Sequence, residues 1–152
     1  MTVRAEATRV VPATSREVLE FVLDLERYRQ ADAKIGRITR PVVLDEHDEG
    51  RTRYWGRLRG LPPAPDTNLV RLDRWKELTF TGAPGQPARL LLDFTGRFAC
   101  TDVDGGCRLT HGYELTFRRP VRWVYEPLLR GWLQVELEAE LDLVATILGG
   151  DR

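Results

Sequence analysis

Apolar residues recur along this chain at two spacings, and the change between them divides it into elements. From Val3 to Val11 the odd-numbered positions form one mainly apolar side, which predicts a first strand that Pro12 ends. Thr14 and Glu17 match a capping box, in which the two side chains satisfy backbone amides at a helix start. The helix predicted there has an apolar face of Val18, Phe21, Val22 and Leu25, and a second brief helix is predicted from Glu26 to about Ala33.

A period of two then governs the middle of the chain and predicts six strands. They run from Ile35 to Leu44, Arg51 to Arg59, Thr67 to Arg74, Glu77 to Thr81, Arg89 to Asp102 and Cys107 to Arg118. The last two strands form the clearest hairpin, with inward apolar positions at Leu90, Leu92, Phe94, Phe98 and Cys100 and at Cys107, Leu109, Tyr113, Leu115 and Phe117. Three prolines between 60 and 65 interrupt the ladder, so this segment is predicted to be a rim or a lid.

The final segment alternates at period two from Leu133 to Leu143, as a strand would. Its leucine, glutamate and alanine content favours a helix, and no turn signal divides it. We therefore predict one long helix from about Pro120 to Leu148, with a kink or restart near Pro127. The expected inward face comprises Val121, Val124, Tyr125, Leu128, Trp132, Val135, Ala139 and Leu143.

Composition limits the class of protein. The 152 residues suit one domain, and 23 basic residues balance 23 acidic ones, which gives no indication of nucleic-acid binding. No apolar run approaches the roughly 20 residues that a membrane span needs, and the start has no signal-peptide pattern, so we expect a cytoplasmic protein without stable membrane insertion. Cys100 and Cys107 lie diagonally on the hairpin and are not expected to form a disulfide.

The order strand, one or two short helices, six strands and a long helix resembles the START-like helix-grip superfamily, also called SRPBCC or polyketide cyclase/dehydrase-like. The resemblance rests on PATSREVLEFVLDLERY after the first strand and on FTGRFACTDVDGGCRLTHGYELTFRRP before the last helix. It covers essentially the whole chain, 1–152, as a single domain. It implies an α+β fold with a seven-stranded curved antiparallel sheet wrapped around a long C-terminal helix, and a ligand cavity between them.

The inward positions of this predicted fold give the candidate site. Ligand-binding residues are expected to be Tyr54, Leu58, Phe80, Leu92, Phe94, Phe98, Leu109, His111, Tyr113, Leu128, Trp132, Val135 and Glu136. His111 and Tyr113 are the candidate catalytic pair, since an imidazole can act as a general base and a phenol can donate to an enolate oxygen. For each of the two, a purely structural role in the core is the alternative. Glu138, Glu140 and Asp142 are expected to face solvent.

Two functions are compatible with these residues. The first is non-covalent binding of a hydrophobic small molecule of the polyketide, quinone or lipid class. The second is a cofactor-independent cyclase or aromatase that uses the same cavity, in which positioning of the substrate supplies most of the catalysis. Neither needs a metal or another cofactor, and no metal-ligand motif is evident. The sequence leaves open whether the chain is a monomer or a homodimer.

Overall fold

The computed structural model describes residues 2–150 and confirms the helix-grip architecture. Seven strands form one antiparallel sheet in the order β1-β7-β6-β5-β4-β3-β2. The strands are β1 (Val3–Val11), β2 (Ile35–Leu44), β3 (Glu49–Gly56), β4 (Ala64–Asp73), β5 (Glu77–Gly82), β6 (Leu92–Val103) and β7 (Gly106–Phe117). The helices are α1 (Ser15–Leu23), α2 (Leu25–Tyr28), α3 (Arg122–Leu129) and α4 (Trp132–Gly150). None of the helices in residues 2–150 is both long enough and apolar enough to cross a membrane.

The β6–β7 hairpin follows its sequence pattern closely. Its register pairs Phe98 with His111 and Asp102 with Cys107, and Gly105 takes a φ of +83° in the turn, which glycine adopts without strain. The inward side chains from Phe98 to Phe117 are buried. Leu90 is an exception to the prediction, since it lies in a 3-10 turn (Pro87–Leu90) before β6 and is 81% exposed.

The start of α1 is fixed by the predicted capping box and by the hairpin. Thr14 accepts a hydrogen bond from the Glu17 backbone at 3.1 Å, and the Glu17 carboxylate accepts one from the Thr14 backbone. Asp102 at the end of β6 accepts two hydrogen bonds from Ser15, both 2.9 Å long. These contacts hold the short helices against one end of the sheet. The second helix, α2, ends at Tyr28 and is shorter than predicted.

The C-terminal segment is helical, as predicted, but it is two helices. Arg130 has an extended ψ of 132° and Gly131 a φ of +82°, so the chain turns between α3 and α4, while Pro127 lies inside α3. The predicted inward face is wrong in part, because the helices bury a neighbouring face, while Val121, Tyr125 and Trp132 are half-buried and pack against the core. In α4 the buried residues are Leu133, Leu137, Glu140, Leu141, Val144 and Leu148, whereas Val135 and Leu143 are exposed. In α3, Val124 is exposed as well.

The helix α4 lies along β1, which is an edge strand of the sheet. The Gln134 side chain donates to the Glu6 carbonyl at 2.8 Å and accepts from the Glu6 amide at 3.1 Å. Further along, Arg9 pairs with Asp142 at 2.9 Å. These contacts satisfy part of an edge that would otherwise offer free backbone groups. They also orient α4 so that Glu140 faces the interior of the sheet.

Candidate functional site

A cavity of about 350 Å³ opens between the sheet and the loop that follows β3. Its walls are mainly apolar and come from the loop after β3, the start of β6, the inner face of β7 and the first turn of α4. The apolar lining includes Leu58, Leu61, Pro62, Leu91, Leu92, Phe94, Leu115 and Leu133. Several lining residues around Pro62 and Leu91 are solvent-exposed, so the mouth of the cavity lies between the proline-rich loop and the 3-10 turn. The predicted rim segment does lie at a rim.

Polar side chains gather at one side of this cavity. Asp32, Lys34, Tyr54, Asp66, Asn68 and Tyr113 all contribute to its lining. The Tyr113 hydroxyl donates to Asp32 at 3.2 Å, and Tyr54 is hydrogen-bonded by the side chain of Asn68. One carboxylate oxygen of Asp66 and the amide oxygen of Asn68 are buried without a hydrogen-bond partner within residues 2–150. Such oxygens can accept hydrogen bonds from a ligand.

A buried cluster of charged side chains lies directly behind this polar end. The Lys34 ammonium bridges two carboxylates, at 2.8 Å from Asp32 and 2.9 Å from Glu140. Tyr28 donates a hydrogen bond to Glu140, and the His111 Nε2 lies 2.8 Å from the same carboxylate. All these side chains are at most 10% exposed. We call Asp32, Lys34, Glu140 and His111 the ionic cluster.

The ionic cluster connects α4 to the sheet. His111 donates from Nδ1 to the Arg97 carbonyl at 2.9 Å and stacks on Phe98 with ring centroids 3.7 Å apart. Its other nitrogen faces Glu140 from α4, so both ring nitrogens are directed at protein atoms. Charges taken out of water in this way are tolerated when they are paired, and removal of one partner leaves an uncompensated charge. The cluster therefore fixes the position of α4 over β7.

The pKa values in the cluster diverge for clear physical reasons. Burial raises the pKa of the Asp32 carboxyl to about 6, the Glu140 charge adds to the rise, and Lys34 opposes it. Burial also disfavours the charge on Glu140, but His111, Lys34 and Tyr28 outweigh this and hold its pKa at about 2. Glu140 is therefore a permanent carboxylate, whereas Asp32 gains and loses its proton near neutral pH.

The cationic and phenolic groups keep their protons. Burial alone would lower the pKa of Lys34, but the Asp32 and Glu140 carboxylates outweigh it and raise that pKa above its ordinary value. Burial, followed by the charges of Asp32 and Glu140, raises the pKa of Tyr113 well above its usual range. Tyr113 consequently keeps its single hydroxyl proton at physiological pH and donates it to Asp32.

The structure brings together only part of the predicted site. Five predicted residues line the cavity: Tyr54, Leu58, Leu92, Phe94 and Tyr113. Phe80 and Phe98 lie deeper, around a small void of about 20 Å³ that shares Tyr54 and Tyr113 with the cavity. Leu109 and His111 are fully buried below that level and do not line the cavity.

The structure also corrects the predicted contributions of the C-terminal segment to the cavity. Val135 is 64% exposed and turned away from the interior, and neither Glu136 nor Trp132 lines the cavity. Leu128 packs beside Gly60 of the loop, close enough that a Cβ there would lie 2.1 Å from its Cδ2. The helix contributes Leu133 to the cavity in their place.

Asp32, Lys34 and Glu140 were not among the predicted site residues, and the solvent-facing prediction for Glu140 is wrong. Glu140 is 2% exposed, because it shares the buried face of Leu133, Leu137 and Leu141. Spacings of four and three residues along these leucines place position 140 on the same helical face, and this signal could have identified it. Asp32 and Lys34 lie in a connection between elements, where no periodicity indicates burial.

The curved sheet that grips a terminal helix around a cavity defines the helix-grip class, and comparisons with known proteins identify the family. The profile of the family described as polyketide cyclase / dehydrase and lipid transport matches residues 2–149. The chain belongs to this family. No curated protein matches the sequence.

Solved structures share the fold at low sequence identity. The protein TTHA0849 from Thermus thermophilus superposes with a TM-score of 0.72 at 18% identity, over 99% of both chains. The Zhui aromatase/cyclase from Streptomyces sp. R1128 superposes with a TM-score of 0.70 at 14% identity, over 95% of this chain and 94% of its own. A START superfamily protein from Mycobacterium smegmatis superposes with a TM-score of 0.69 at 16% identity, over 95% of this chain and 98% of its own. These likenesses establish the architecture, and a role in hydrophobic ligand binding or polyketide cyclisation agrees with the family.

Proposed function

We propose that this protein binds an apolar small molecule of the polyketide, quinone or lipid class in the cavity between the sheet and α4. The observation that carries the proposal is a largely apolar cavity of about 350 Å³ whose lining includes a small number of polar side chains. Such cavities bury most of a ligand in apolar contacts and use a few polar atoms to orient it. The free thiols of Cys100 and Cys107 are compatible with a reducing compartment, which supports a cytoplasmic location as part of this proposal.

The polar side of the cavity indicates how the ligand is oriented. The unpartnered oxygens of Asp66 and Asn68 can accept hydrogen bonds, as can the Tyr113 oxygen, whose own proton is donated to Asp32. A ligand with an apolar body and a hydroxyl at one end would satisfy these acceptors while its body contacts Leu58 and Phe94. A fully apolar molecule would leave them without partners, which costs binding free energy.

Titration with the neutral fluorescent probe N-phenyl-1-naphthylamine tests the binding proposal. The wild-type protein should show saturable binding with a Kd of roughly micromolar order. Leu92→Trp places a larger side chain in the cavity wall and should weaken binding at least about tenfold. Val43→Trp, at a position 72% exposed on β2, is the matched control and should leave the affinity unchanged. Linear, non-saturating fluorescence, or equal losses in both variants, would refute the cavity as the site.

A second function is favoured by one specific observation, the pairing of Tyr113 with Asp32 at the cavity wall. As a carboxylate, Asp32 can take a proton from the carbon next to a carbonyl. Once Asp32 is protonated, Tyr113 can turn its hydroxyl proton from Asp32 to the resulting enolate oxygen. An Asp32 pKa of about 6 suits a general base near neutral pH. In this cyclase-type proposal His111 holds Glu140 and does not touch the ligand.

Hydrogen–deuterium exchange at the activated carbon of a 1,3-diketone tests this second function. The wild-type protein should accelerate exchange over buffer, as followed by NMR. Tyr113→Phe and Asp32→Asn should each reduce the acceleration at least about tenfold. If the wild-type rate equals that of buffer, the catalytic proposal fails and the binding proposal stands on the probe titration alone.

A further inference from the structure

The segments around the cavity mouth carry an excess of positive charge in a chain whose net charge is zero. We define the mouth face as residues 57–63, 87–93 and 118–131. Outside the partly buried Arg89–Asp66 pair, it holds two acidic residues, Asp93 and Glu126, and six arginines: Arg57, Arg59, Arg118, Arg119, Arg122 and Arg130. The two acids pair with Arg118 and Arg130. The other four arginines have no carboxylate partner within residues 2–150.

The same face exposes large apolar side chains. Leu90 is 81% exposed, Leu91 41%, Trp123 63% and Val124 65%. These four belong to two segments that are joined directly, since the Arg118 amide donates to the Leu91 carbonyl at 2.8 Å. Beside Trp123, the outer side of α3 forms an open depression of about 560 Å³, lined also by Arg122 and Arg130. Large apolar side chains in contact with water favour an interface.

We propose that the mouth face docks on the surface of an anionic lipid bilayer. Guanidinium groups attract anionic headgroups, while Trp123, Val124 and the leucines can enter the boundary between headgroups and acyl chains. A bilayer satisfies the arginines and the apolar side chains at once, whereas an acidic protein surface would satisfy mainly the arginines. Docking in this orientation also turns the cavity mouth toward the acyl chains, so an apolar ligand could enter without crossing water.

Co-sedimentation with vesicles tests docking without reference to the cavity ligand. Wild-type protein should bind vesicles containing about one third phosphatidylglycerol in phosphatidylcholine at least tenfold more strongly than phosphatidylcholine alone, and added salt should weaken binding. Arg119→Glu/Arg122→Glu should reduce binding to the anionic vesicles by about tenfold or more. Leu90→Ser/Trp123→Ser should reduce it severalfold through loss of apolar contact.

Matched controls carry the same changes away from the mouth face. Arg71→Glu/Arg108→Glu alters two exposed arginines of β4 and β7, and Val43→Ser/Leu143→Ser alters two exposed apolar positions. Both should bind like the wild type. The proposal would be overturned if the wild type bound both vesicle types equally, or bound neither. Equal losses in the control variants would also overturn it. So would mouth-face variants that changed only self-association or capture by an acidic protein. Probe affinity without vesicles should be unchanged in the mouth-face variants, which separates this proposal from the binding function.

Discussion

The interior of the sheet has two halves that use the same strands in opposite ways. In the inner half, Phe98 stacks on His111 and meets Tyr28 edge to face. Glu140 from α4 accepts a hydrogen bond from Tyr28 and lies 2.8 Å from the His111 Nε2. In the outer half, the same strands β6 and β7 present Phe94 and Tyr113 to a cavity of about 350 Å³. Packing in the inner half fixes α4, and this leaves the outer half free to remain open. A rigidly packed inner half therefore supports the walls of the open cavity, as a preorganised binding site requires.

Glu140→Gln should produce the largest effect, and it should fall on stability. The substitution removes the carboxylate that pairs with Lys34 and His111, and breaking a buried ion pair typically costs about 3–5 kcal/mol. Urea unfolding should show this loss of free energy of unfolding. The exposed pair Arg4–Glu114 supplies the control, because Glu114→Gln should change stability by less than about 1 kcal/mol. Equal effects would mean that the cluster does not hold the inner half together.

The pH dependence of stability should depend on Asp32. Its pKa rises from 3.8 to about 6 on folding, so the folded state favours the protonated form. The stabilising contribution is fully present below about pH 4 and is lost as the pH rises through 6, a change of about 3 kcal/mol at 1.36 kcal/mol per unit. Glu140 titrates in the opposite direction at lower pH.

Comparison with Asp32→Asn isolates this contribution from other titrating groups. The difference in the free energy of unfolding, wild type minus variant, should fall between pH 4 and pH 7 when measured by urea unfolding. A difference that stays constant over this range would show that Asp32 is not perturbed by burial.

Asn68→Leu should have a smaller effect, and it should fall on ligand choice. The variant removes an unpartnered buried amide oxygen, which in the proposed function accepts a hydrogen bond from a ligand hydroxyl. Affinity for 1-naphthol should drop by about 1 kcal/mol, the value of one hydrogen bond, while affinity for 1-methylnaphthalene should hold or improve. Competition against the fluorescent probe measures both. Parallel losses for the two molecules would assign Asn68 to shaping the cavity rather than to orienting the ligand.

Val135→Ala should have the smallest effect, within about 0.5 kcal/mol, because Val135 lies on the exposed side of α4. Leu137→Ala, two residues along and fully buried, should cost about 2–5 kcal/mol in the same unfolding experiment. If Val135→Ala destabilised the protein more than Leu137→Ala, the inward helical face predicted from the sequence would be correct.

The sequence predicts the sheet well and the chemistry of the site poorly, for identifiable reasons. Alternation places Phe98, His111 and Tyr113 on one face without ambiguity, because a strand has only two faces and this one is buried. Apolar residues occupy two adjacent faces of α4, so periodicity alone does not choose between the face of Trp132, Val135 and Ala139 and the face that the structure buries. The spacing of the leucines places Glu140 on the buried face, but its ionic partner Lys34 is 106 residues distant in sequence, and no local pattern indicates that pairing.

The most direct test of the account is a crystal structure of the protein with N-phenyl-1-naphthylamine. We predict electron density for the probe in the outer half, in contact with Leu58, Phe94 and Tyr113, while Lys34 stays within hydrogen-bond distance of Asp32 and Glu140. Density confined to the depression on α3 would contradict the account. So would a probe seated between Phe98 and His111 with the ionic cluster opened, because the inner half would then be the binding site.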